Sequence, residues 1–482
     1  MSEQIAHRTG SAIDLRPAMP WLAAAAVCLL LAAVGPKLLN DPDTYSHIAL
    51  GRWIIAHGTV PTTDPFSLTL RGEHWVAFEW LSQVVYAIAF DTGGWPAVVA
   101  LASLTTGLAF ALLARFLMRE WQTTPVLVAL MCALVLLAPH VLARPHVLAL
   151  PIMVAWIAAL IRARDTDAAP PWRILPLMIL WTNLHGSFTF GLAMIGPVAL
   201  EALIAASTAQ RWRVVRQWAL FGALALGAAC LNPYGPEMIL VTFRTVALGS
   251  ALLTITEWRP PDFSHLGPYE IIVLGGIAAA LLYGVRLPWL RLVMLLGVLH
   301  LSLSQARHAD LLGMLAPIFI ARPLAMQFAA LARRTEGGLR ASVWGPSLAA
   351  AAIVAALGLT MLRQDIAPPA HNTPAAALRA IDAAHAGPIL NDYDFGAYLD
   401  FVGIPAFIDG RTELYGAAFT LRYDRALKLA NLPDFLTLLD ENHIRTTLLA
   451  PNTPAVALLD RLPEWKRVYA DEIAVVHQRT GG

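Results

Sequence analysis

Long apolar runs separated by short polar segments fill most of this sequence. A membrane-spanning helix needs about 20 predominantly apolar residues. The runs that approach or exceed that length lie at 19–38, 95–117, 124–142, 145–161, 174–206, 217–231, 268–285, 289–304, 307–322 and 343–362. The run 174–206 is too long for one span and contains the polar segment Asn183–Gly186, so we interpret it as two spans. The pattern therefore predicts about eleven transmembrane helices.

From Pro368 onward the pattern becomes that of a water-soluble domain. Short apolar strands are predicted at 388–390, 404–408 and 444–450, and a hairpin at 465–478. Helices are predicted at 374–385, 416–430, 433–442 and 453–462. Strands that alternate with helices indicate a small α/β sheet. The predicted fold class is thus a mainly α polytopic membrane protein with a small C-terminal α/β domain over 363–482.

Four charged residues of this domain follow predicted strands: Asp392, Asp394, Asp409 and Arg411. Polar residues at strand ends often line a site. Two interpretations stay open. The aspartates cap helices and Arg411 pairs with one of them, or the group forms an acceptor-binding or lid surface that faces the membrane.

Composition excludes several classes of protein. The chain is 57% apolar and only 14% charged, whereas a soluble domain carries roughly 25% charged residues. Its mean hydropathy is +0.59. The formal net charge is +1, so there is no basic field to hold a nucleic acid. An ordinary soluble enzyme and a nucleic-acid binder are both excluded.

The orientation depends on residues 79–91, which are apolar but short for a span. If they lie in the membrane interface, most arginine-bearing loops fall on the N-terminal side, which the positive-inside rule places in the cytoplasm. The arginines concerned are Arg8, Arg16, Arg115, Arg119, Arg162, Arg164, Arg173, Arg211, Arg213, Arg216, Arg286, Arg291, Arg322, Arg333, Arg334 and Arg340. We therefore expect a cytoplasmic N-terminus (1–18), a transmembrane module (19–362) with a first outer loop (39–94), and an extracytoplasmic C-terminal domain.

The first outer loop collects acidic, histidine and aromatic residues at the bilayer surface. Asp41 and Asp43 flank Pro42 at the mouth of the first span, and Asp43 is predicted to cap a helix that begins near Thr44. His47 lies one turn into that helix, and Glu79 lies at the far end of the loop. The alternative is that the carboxylates are merely solvated beside an ordinary interfacial tryptophan belt.

These residues resemble a known superfamily. The Asp41-Pro42-Asp43 pair after the first span, followed by Tyr45, His47, Gly51-Arg52 and the Asp64-Pro65 segment, is similar to the GT-C glycosyltransferases. These include protein O-mannosyltransferases, the aminoarabinose transferase of lipid A and the catalytic oligosaccharyltransferase subunit. The segments 75–80, 183–186, 391–394 and 408–411 also resemble bacterial members of the superfamily that have no assigned substrate.

The resemblance implies transfer of a sugar from a polyprenyl-phosphate carrier to an acceptor on the outer face of a bacterial inner membrane. It implies that a first-loop aspartate is the base, and we prefer Asp41 because Asp43 is expected to cap a helix. Alternatively, Asp41 and Asp43 are expected to hold Mg²⁺ or Mn²⁺ together with His47 and Glu79, since hard oxygen ligands suit these ions.

Other polar residues near the membrane are candidates for binding the donor. Arg144 with the neighbouring His146, and Arg307 with His308, are the candidates for the donor phosphate, although an arginine there also snorkels readily. Asn183 and His185 either touch the sugar or satisfy the broken backbone of their turn. The outer segment 236–262, which contains Glu257, is a candidate mobile loop.

Two other functions stay open at this point. A transporter or flippase of lipid-linked glycan intermediates is one, but such a protein would more commonly show an internal repeat, and none is evident. The other is a non-catalytic membrane scaffold that binds a partner through its outer domain. The sequence identifies neither the sugar nor the acceptor.

Overall fold

The computed structural model describes residues 16–333, 344–363, 365–381 and 387–480. Within these ranges the chain is mainly helical and has a small sheet close to its C-terminus. The helices are α1 (Met19–Ala33), α2 (Asp43–His57), α3 (Trp80–Leu117), α4 (Thr123–Leu137), α5 (Pro145–Asp165), α6 (Leu175–Leu184), α7 (Phe188–Ala193), α8 (Ile195–Ala205), α9 (Arg211–Ala229), α10 (Glu237–Val246), α11 (Pro268–Leu282), α12 (Trp289–Ser304), α13 (Ala309–Gln327), α14 (Trp344–Leu362), α15 (Ala375–Arg379), α16 (Gly396–Val402), α17 (Thr412–Leu427), α18 (Leu432–Glu441) and α19 (Pro454–Leu459).

Several of these helices have the length and composition of membrane spans. Among the described residues, five qualify: Trp80–Leu117, Thr123–His140, Pro145–Asp165, Phe188–Ala205 and Ala306–Gln327. Shorter apolar helices occur at Met19–Ala33, Pro268–Leu282, Trp289–Ser304 and Ser347–Thr360. The chain is thus a multi-pass membrane protein. Most of the predicted N-terminal segment 1–18 lies outside the described residues.

Two predicted interruptions of the apolar runs are confirmed. Helix α6 ends at Leu184, and α7 begins at Phe188, so the run 174–206 is indeed broken at its polar segment. Helix α3 is kinked at Gly93 and Gly94, which separates residues 80–92 from 95–117. Gly94 has φ +64°, a conformation that favours glycine, and Pro96 follows it, so the kink has the usual causes.

Near Arg291 a buried ion cluster joins the helices. Arg291, on α12, is 1% exposed. Its Nε lies 2.6 Å from Glu201 Oε2 on α8, and its NH2 lies 2.7 Å from Asp165 Oδ1 at the end of α5. Helix α5 has 21 residues, which places this cluster about 30 Å along the helix from Arg144.

The C-terminal domain contains the predicted α/β sheet. Its strands are β1 (Ile389–Asn391), β2 (Thr446–Leu449), β3 (Trp465–Ala470) and β4 (Val475–Arg479), in the order β1-β2-β4-β3. β1 and β2 are parallel, and the other pairs are antiparallel. The predicted hairpin is confirmed as β3 and β4. The predicted helix 374–385 forms only as α15, and residues 382–386 lie outside the described ranges.

The predicted strand 404–408 is wrong. These residues form a loop whose backbone is satisfied by the side chain of Asn391: Phe407 N donates to its Oδ1 at 2.7 Å, and its Nδ2 donates to Ile408 O at 2.8 Å. The loop is buried like a strand, because Ala406, Phe407 and Ile408 are all fully buried. The apolar character of residues 404–408 therefore reflects the burial of a loop and not the pairing of a strand.

The first outer loop packs directly on this domain. Leu68 and Leu70 contact the apolar core of the domain. Leu68 N donates to Ala406 O at 2.7 Å, and Thr69 Oγ1 donates to Phe407 O at 3.0 Å. Helix α2 of the same loop packs against α16. Asp41 and Asp43 are thereby held between the membrane helices and the C-terminal domain.

Candidate functional site

A turn between α4 and α5 places Arg144 beside the first outer loop. Arg144 precedes Pro145, the first residue of α5, and is extended (φ −124°, ψ 161°), as expected of a residue before proline. Ala143 N donates to Leu38 O at 2.7 Å, and Thr44 Oγ1 donates to Ala143 O at 3.2 Å. These bonds fix the turn to the segment that carries Asp41 and Asp43.

Three carboxylates surround the Arg144 guanidinium, one at each nitrogen. Nε lies 2.8 Å from Asp41 Oδ2, NH2 lies 2.9 Å from Asp43 Oδ2, and NH1 lies 2.6 Å from Glu257 Oε2. All four side chains are at most about one fifth exposed. The contacts with Asp43 and Glu257 are charge-assisted hydrogen bonds, which are roughly twice as strong as neutral ones. In the described part of the chain Asp41 Oδ2 has no hydrogen-bond partner, so its contact with Arg144 is an ion pair alone. The predicted residues Asp41, Asp43 and Arg144 are therefore together in one cluster.

Glu257 joins this cluster to Arg307. Its second oxygen, Oε1, lies 3.2 Å from Arg307 NH1, so one carboxylate bridges two guanidinium groups. The Arg307 guanidinium also stacks over the Trp258 ring at 4.6 Å. The sequence placed Glu257 only within the candidate mobile segment 236–262. Its position in an outer segment rich in polar residues was the one available signal.

The local roles of the two aspartates are the reverse of those expected. Helix α2 begins at Asp43, with Pro42 at its N-cap and no side-chain cap, so the prediction that Asp43 caps the helix is wrong. Instead, Asp41 Oδ1 accepts a hydrogen bond from Asp43 N at 2.9 Å. The reason for preferring Asp41 as the base is therefore removed, since it is Asp41 that has the structural bond.

Burial and the neighbouring charges shift the pKa values of the three carboxylates in this cluster. Burial, followed by the neighbouring Asp41, raises the pKa of Asp43 well above its usual range, although Arg144 opposes the shift. Burial also raises the pKa of Asp41. For Glu257, burial acts upward, but Arg144 and Arg307 outweigh it and hold the pKa at about 2. Glu257 is thus an anion at neutral pH, and Asp43 is the carboxylate readiest to take a proton.

Glu79 and His185 form a second pair. Glu79 Oε1 lies 3.3 Å from His185 Nε2, and His185 Nδ1 accepts from Ser187 N at 3.2 Å. Burial raises the pKa of Glu79 to about 8. Burial, and then the nearby His146, lower the pKa of His185 well below its usual value. At neutral pH the two side chains are therefore in close contact without carrying opposite charges.

Two further predicted histidines are buried in the same region. His146 Nε2 donates to His140 O at 3.0 Å, and its ring centroid lies 6.3 Å from that of His185. His47 Nδ1 lies 3.4 Å from Gln83 Nε2. Across the described residues, the Nε2 atom of His47 is buried without a hydrogen-bond partner. Burial, reinforced by Arg144, lowers the pKa of His47 to about 3, so this ring is neutral.

The side chain of Asn183 is hydrogen-bonded to its own helix and to neighbouring segments. Its Oδ1 accepts from Trp80 Nε1 at 2.8 Å, and its Nδ2 donates to Ile179 O at 2.7 Å and Leu231 O at 3.1 Å. This matches the interpretation in which Asn183 satisfies broken backbone. His308 follows Arg307, and in the described part of the chain its Nδ1 is buried with no partner.

The charged residues of the C-terminal domain also have internal partners. Asp392 caps the short helical turn that follows β1 by accepting from Asp394 N at 3.1 Å. Arg411 NH2 donates to Asp409 Oδ2 at 2.6 Å, and its NH1 donates to Asp64 Oδ1 of the first outer loop at 2.6 Å. The expectation that these aspartates cap or pair is confirmed for Asp392 and Asp409.

The residues do not form the predicted metal site. Among the described residues, no group of three or more His, Cys, Asp and Glu side chains is placed to hold a metal ion. Asp41 and Asp43 each direct an oxygen at Arg144, and His47 faces Gln83.

Comparison with solved structures identifies the fold. The archaeal oligosaccharyltransferase AglB from Archaeoglobus fulgidus, in complex with an inhibitory peptide and a dolichol-phosphate, aligns with a TM-score of 0.52 and 12% identity over 89% of this chain and 69% of its own. The chain shares the fold of this oligosaccharyltransferase. The same enzyme with Zn and sulfate aligns with a TM-score of 0.50 and 13% identity over 89% and 68%.

A second transferase also aligns over almost its full length. ArnT from Cupriavidus metallidurans, bound to undecaprenyl phosphate, gives a TM-score of 0.49 and 15% identity over 94% of this chain and 97% of its own. No family model matches the sequence, and no curated protein matches it. The resemblance inferred from the sequence is confirmed at the level of the fold by the archaeal oligosaccharyltransferase.

Proposed function

We propose that this protein is a glycosyltransferase that moves a sugar from a polyprenyl-phosphate donor to an acceptor on the outer face of the membrane. The observation that carries the proposal is a continuous cluster of charged side chains. Arg144 contacts Asp41, Asp43 and Glu257, and Glu257 in turn contacts Arg307. The fold it shares with an oligosaccharyltransferase supports it. That enzyme was solved with a dolichol-phosphate, a lipid of the proposed donor class.

The arginine pair is suited to a phosphate. Glu257 already bridges Arg144 and Arg307 as an anion, so a negatively charged group between the two guanidiniums has two charge-assisted partners. A donor phosphate would take the place of the Glu257 carboxylate, because both anions need the same nitrogens. Glu257 lies in the outer segment 236–262, which would move as the donor enters.

Asp43 is our candidate for the base. It takes the proton of the acceptor hydroxyl as the acceptor oxygen bonds to the anomeric carbon. The bond from that carbon to the phosphate oxygen breaks, and its electron pair stays on the polyprenyl phosphate, which the arginines hold. A raised pKa suits this role, since a base works best when its pKa approaches the working pH. Glu79, His185, His146, His47 and His308 are proposed to line the sugar pocket.

We also propose the membrane arrangement predicted above. Residues 1–18 are cytoplasmic, 19–362 form about eleven spans, and 363–482 form a periplasmic domain. The packing of the first outer loop (39–94) on the C-terminal domain supports a shared side for both. The donor is the predicted partner, together with membrane lipid, and the acceptor is a hydroxyl-bearing molecule on that side.

The test replaces both aspartates. In a strain that lacks this protein, mass spectrometry identifies which surface glycan or lipid-linked sugar is altered. We expect the wild-type chain to restore the normal pattern and the Asp41→Asn/Asp43→Asn chain to fail while it accumulates in the membrane. The amide pair keeps the size of the side chains but loses their basicity.

Asp262→Asn is the matched control. It makes the same chemical change in the exposed part of an outer segment, where, among the described residues, Asp262 accepts only from the neighbouring Ser264, and it should restore the pattern fully. A normal glycan pattern with the double variant would contradict catalysis and favour the scaffold. Accumulation of the donor on the cytoplasmic leaflet would favour the flippase.

A further inference from the structure

The Asp43 carboxylate is enclosed on both sides. Its Oδ2 lies 2.9 Å from Arg144 NH2, and its Oδ1 faces Gly410 of the C-terminal domain. A Cβ atom built on Gly410 would lie 2.0 Å from Asp43 Oδ1 and 2.6 Å from its Cγ. Gly410 does not have a positive φ, so its backbone conformation does not itself favour glycine. What requires glycine at position 410 is the space taken by Asp43.

The turn that carries Gly410 is held rigidly. Arg411 donates to both oxygens of Asp409 at 2.9 and 2.6 Å, and Tyr415 OH donates to Asp409 Oδ2 at 2.8 Å. Arg411 NH1 ties the turn to Asp64 of the first outer loop at 2.6 Å. A turn fixed on both sides cannot move away from Asp43 at low cost.

Helix α16 packs directly against the turn that carries Gly410. A Cβ on Gly396 would lie 2.1 Å from Ile408 O and 2.8 Å from Asp409 Cα, so the helix and the turn are in close contact. The same helix packs against α2, which begins at Asp43. The aspartate and the surface that it touches therefore share one rigid support.

We propose that Gly410 is a positioning residue for Asp43, and that the C-terminal domain thereby forms one wall of the catalytic centre. This inference rests on the proposed transferase function. Gly410 allows the carboxylate to lie between the turn and Arg144. A methyl group at position 410 pushes the carboxylate away from that position. A displacement of 1 Å in a catalytic group can cost about 100-fold in rate.

The experiment uses Gly410→Ala in the full chain, with Gly275→Ala as the matched control. Gly275 lies in α11, and a Cβ there meets nothing within 4 Å. The first measurement is the rate at which the missing glycan reappears in the deletion strain after induction. We expect it to fall about 100-fold for Gly410→Ala and to stay at the wild-type rate for the control. Binding of undecaprenyl phosphate by the purified protein should change less than about threefold, since a positioning change acts on turnover.

The second measurement separates positioning from general damage. The unfolding temperature is compared for Gly410→Ala in the wild-type and in the Asp43→Ala background, because a clash with the carboxylate disappears when the carboxylate is removed. We expect a clear loss in the first background and a much smaller one in the second. Equal losses in both backgrounds, or transfer at the wild-type rate, would overturn the inference while leaving the proposed function standing. If the wild-type chain itself transfers no sugar, the proposed function fails and this inference fails with it.

Discussion

Replacing Arg411 with methionine tests the connection between the first outer loop and the C-terminal domain. The guanidinium donates to Asp409 and Asp64 and lies 4.7 Å above the Trp75 ring. Both carboxylates are 0% exposed, and the arginine side chain is 10% exposed. Methionine keeps most of the aliphatic volume but leaves two buried carboxylates without a cation.

The magnitude follows from burial. Removing one partner of a buried ion pair costs about 3–5 kcal/mol, because the remaining charge is left uncompensated. For a unit of roughly 150 residues, this corresponds to a fall of about 6–20 °C in unfolding temperature. We expect the loss to be largest at neutral pH. Burial acts upward on the pKa of Asp409, but Arg411 outweighs it and lowers the pKa below its usual value. This wild-type stabilisation is therefore lost as the pH falls through that lowered pKa.

The assay is thermal unfolding of the purified protein at several pH values, supported by limited proteolysis of the C-terminal domain. Arg422→Met is the matched control. Arg422 also bonds two carboxylates, Asp434 and Glu441, at 2.8 and 3.0 Å, but its side chain is 40% exposed. Solvent screening limits such a pair to under about 1 kcal/mol. Equal losses for the two variants, or a difference that does not shrink in acid, would refute the reasoning.

Two further predictions concern pH and topology. Burial raises the pKa of Glu79 to about 8 from an ordinary 4.5, so the folded state keeps a proton that the unfolded state loses, and stability should fall as pH rises between these values. Unfolding temperatures measured from pH 5 to 8.5 should fall with pH in the wild type and in the exposed control Glu73→Gln. The fall should be smaller in Glu79→Gln, and identical slopes in all three proteins would contradict this prediction. In a chain freed of its native cysteines, Glu472→Cys should react with an impermeant thiol reagent once the outer membrane is permeabilised, whereas Ala209→Cys should react only after lysis of the inner membrane. The opposite labelling would reverse the orientation.

The residues that the sequence identified are those whose position follows from neighbouring elements. Asp41 and Asp43 come directly after a span, and Arg144 precedes a proline that begins a helix, so their place near the membrane surface could be predicted locally. Glu257 could not be assigned to them, because the path of its loop depends on packing between distant helices.

The errors have similar causes. An apolar run such as 404–408 shows burial, but not whether its backbone bonds pair with a strand or with a side chain such as Asn391. Likewise, Asp43 has the residue type of a helix cap, but the helix begins at Asp43 itself with Pro42 at the N-cap, and its carboxylate contacts Arg144 instead. The role of Gly410 was invisible, because a glycine required for space has no local signature.

The bond between Asp64 and Arg411 has a consequence for the timing of synthesis. The two residues are 347 positions apart, and a ribosome adds about 5–20 residues per second. Asp64 therefore leaves the ribosome roughly 20–70 s before its partner is made. During that interval the first outer loop lacks the surface on which it packs. In the proposed arrangement, the site is complete only after the C-terminal domain has been translocated, so a chain stalled during insertion would carry Asp41 and Asp43 without the surface that encloses them.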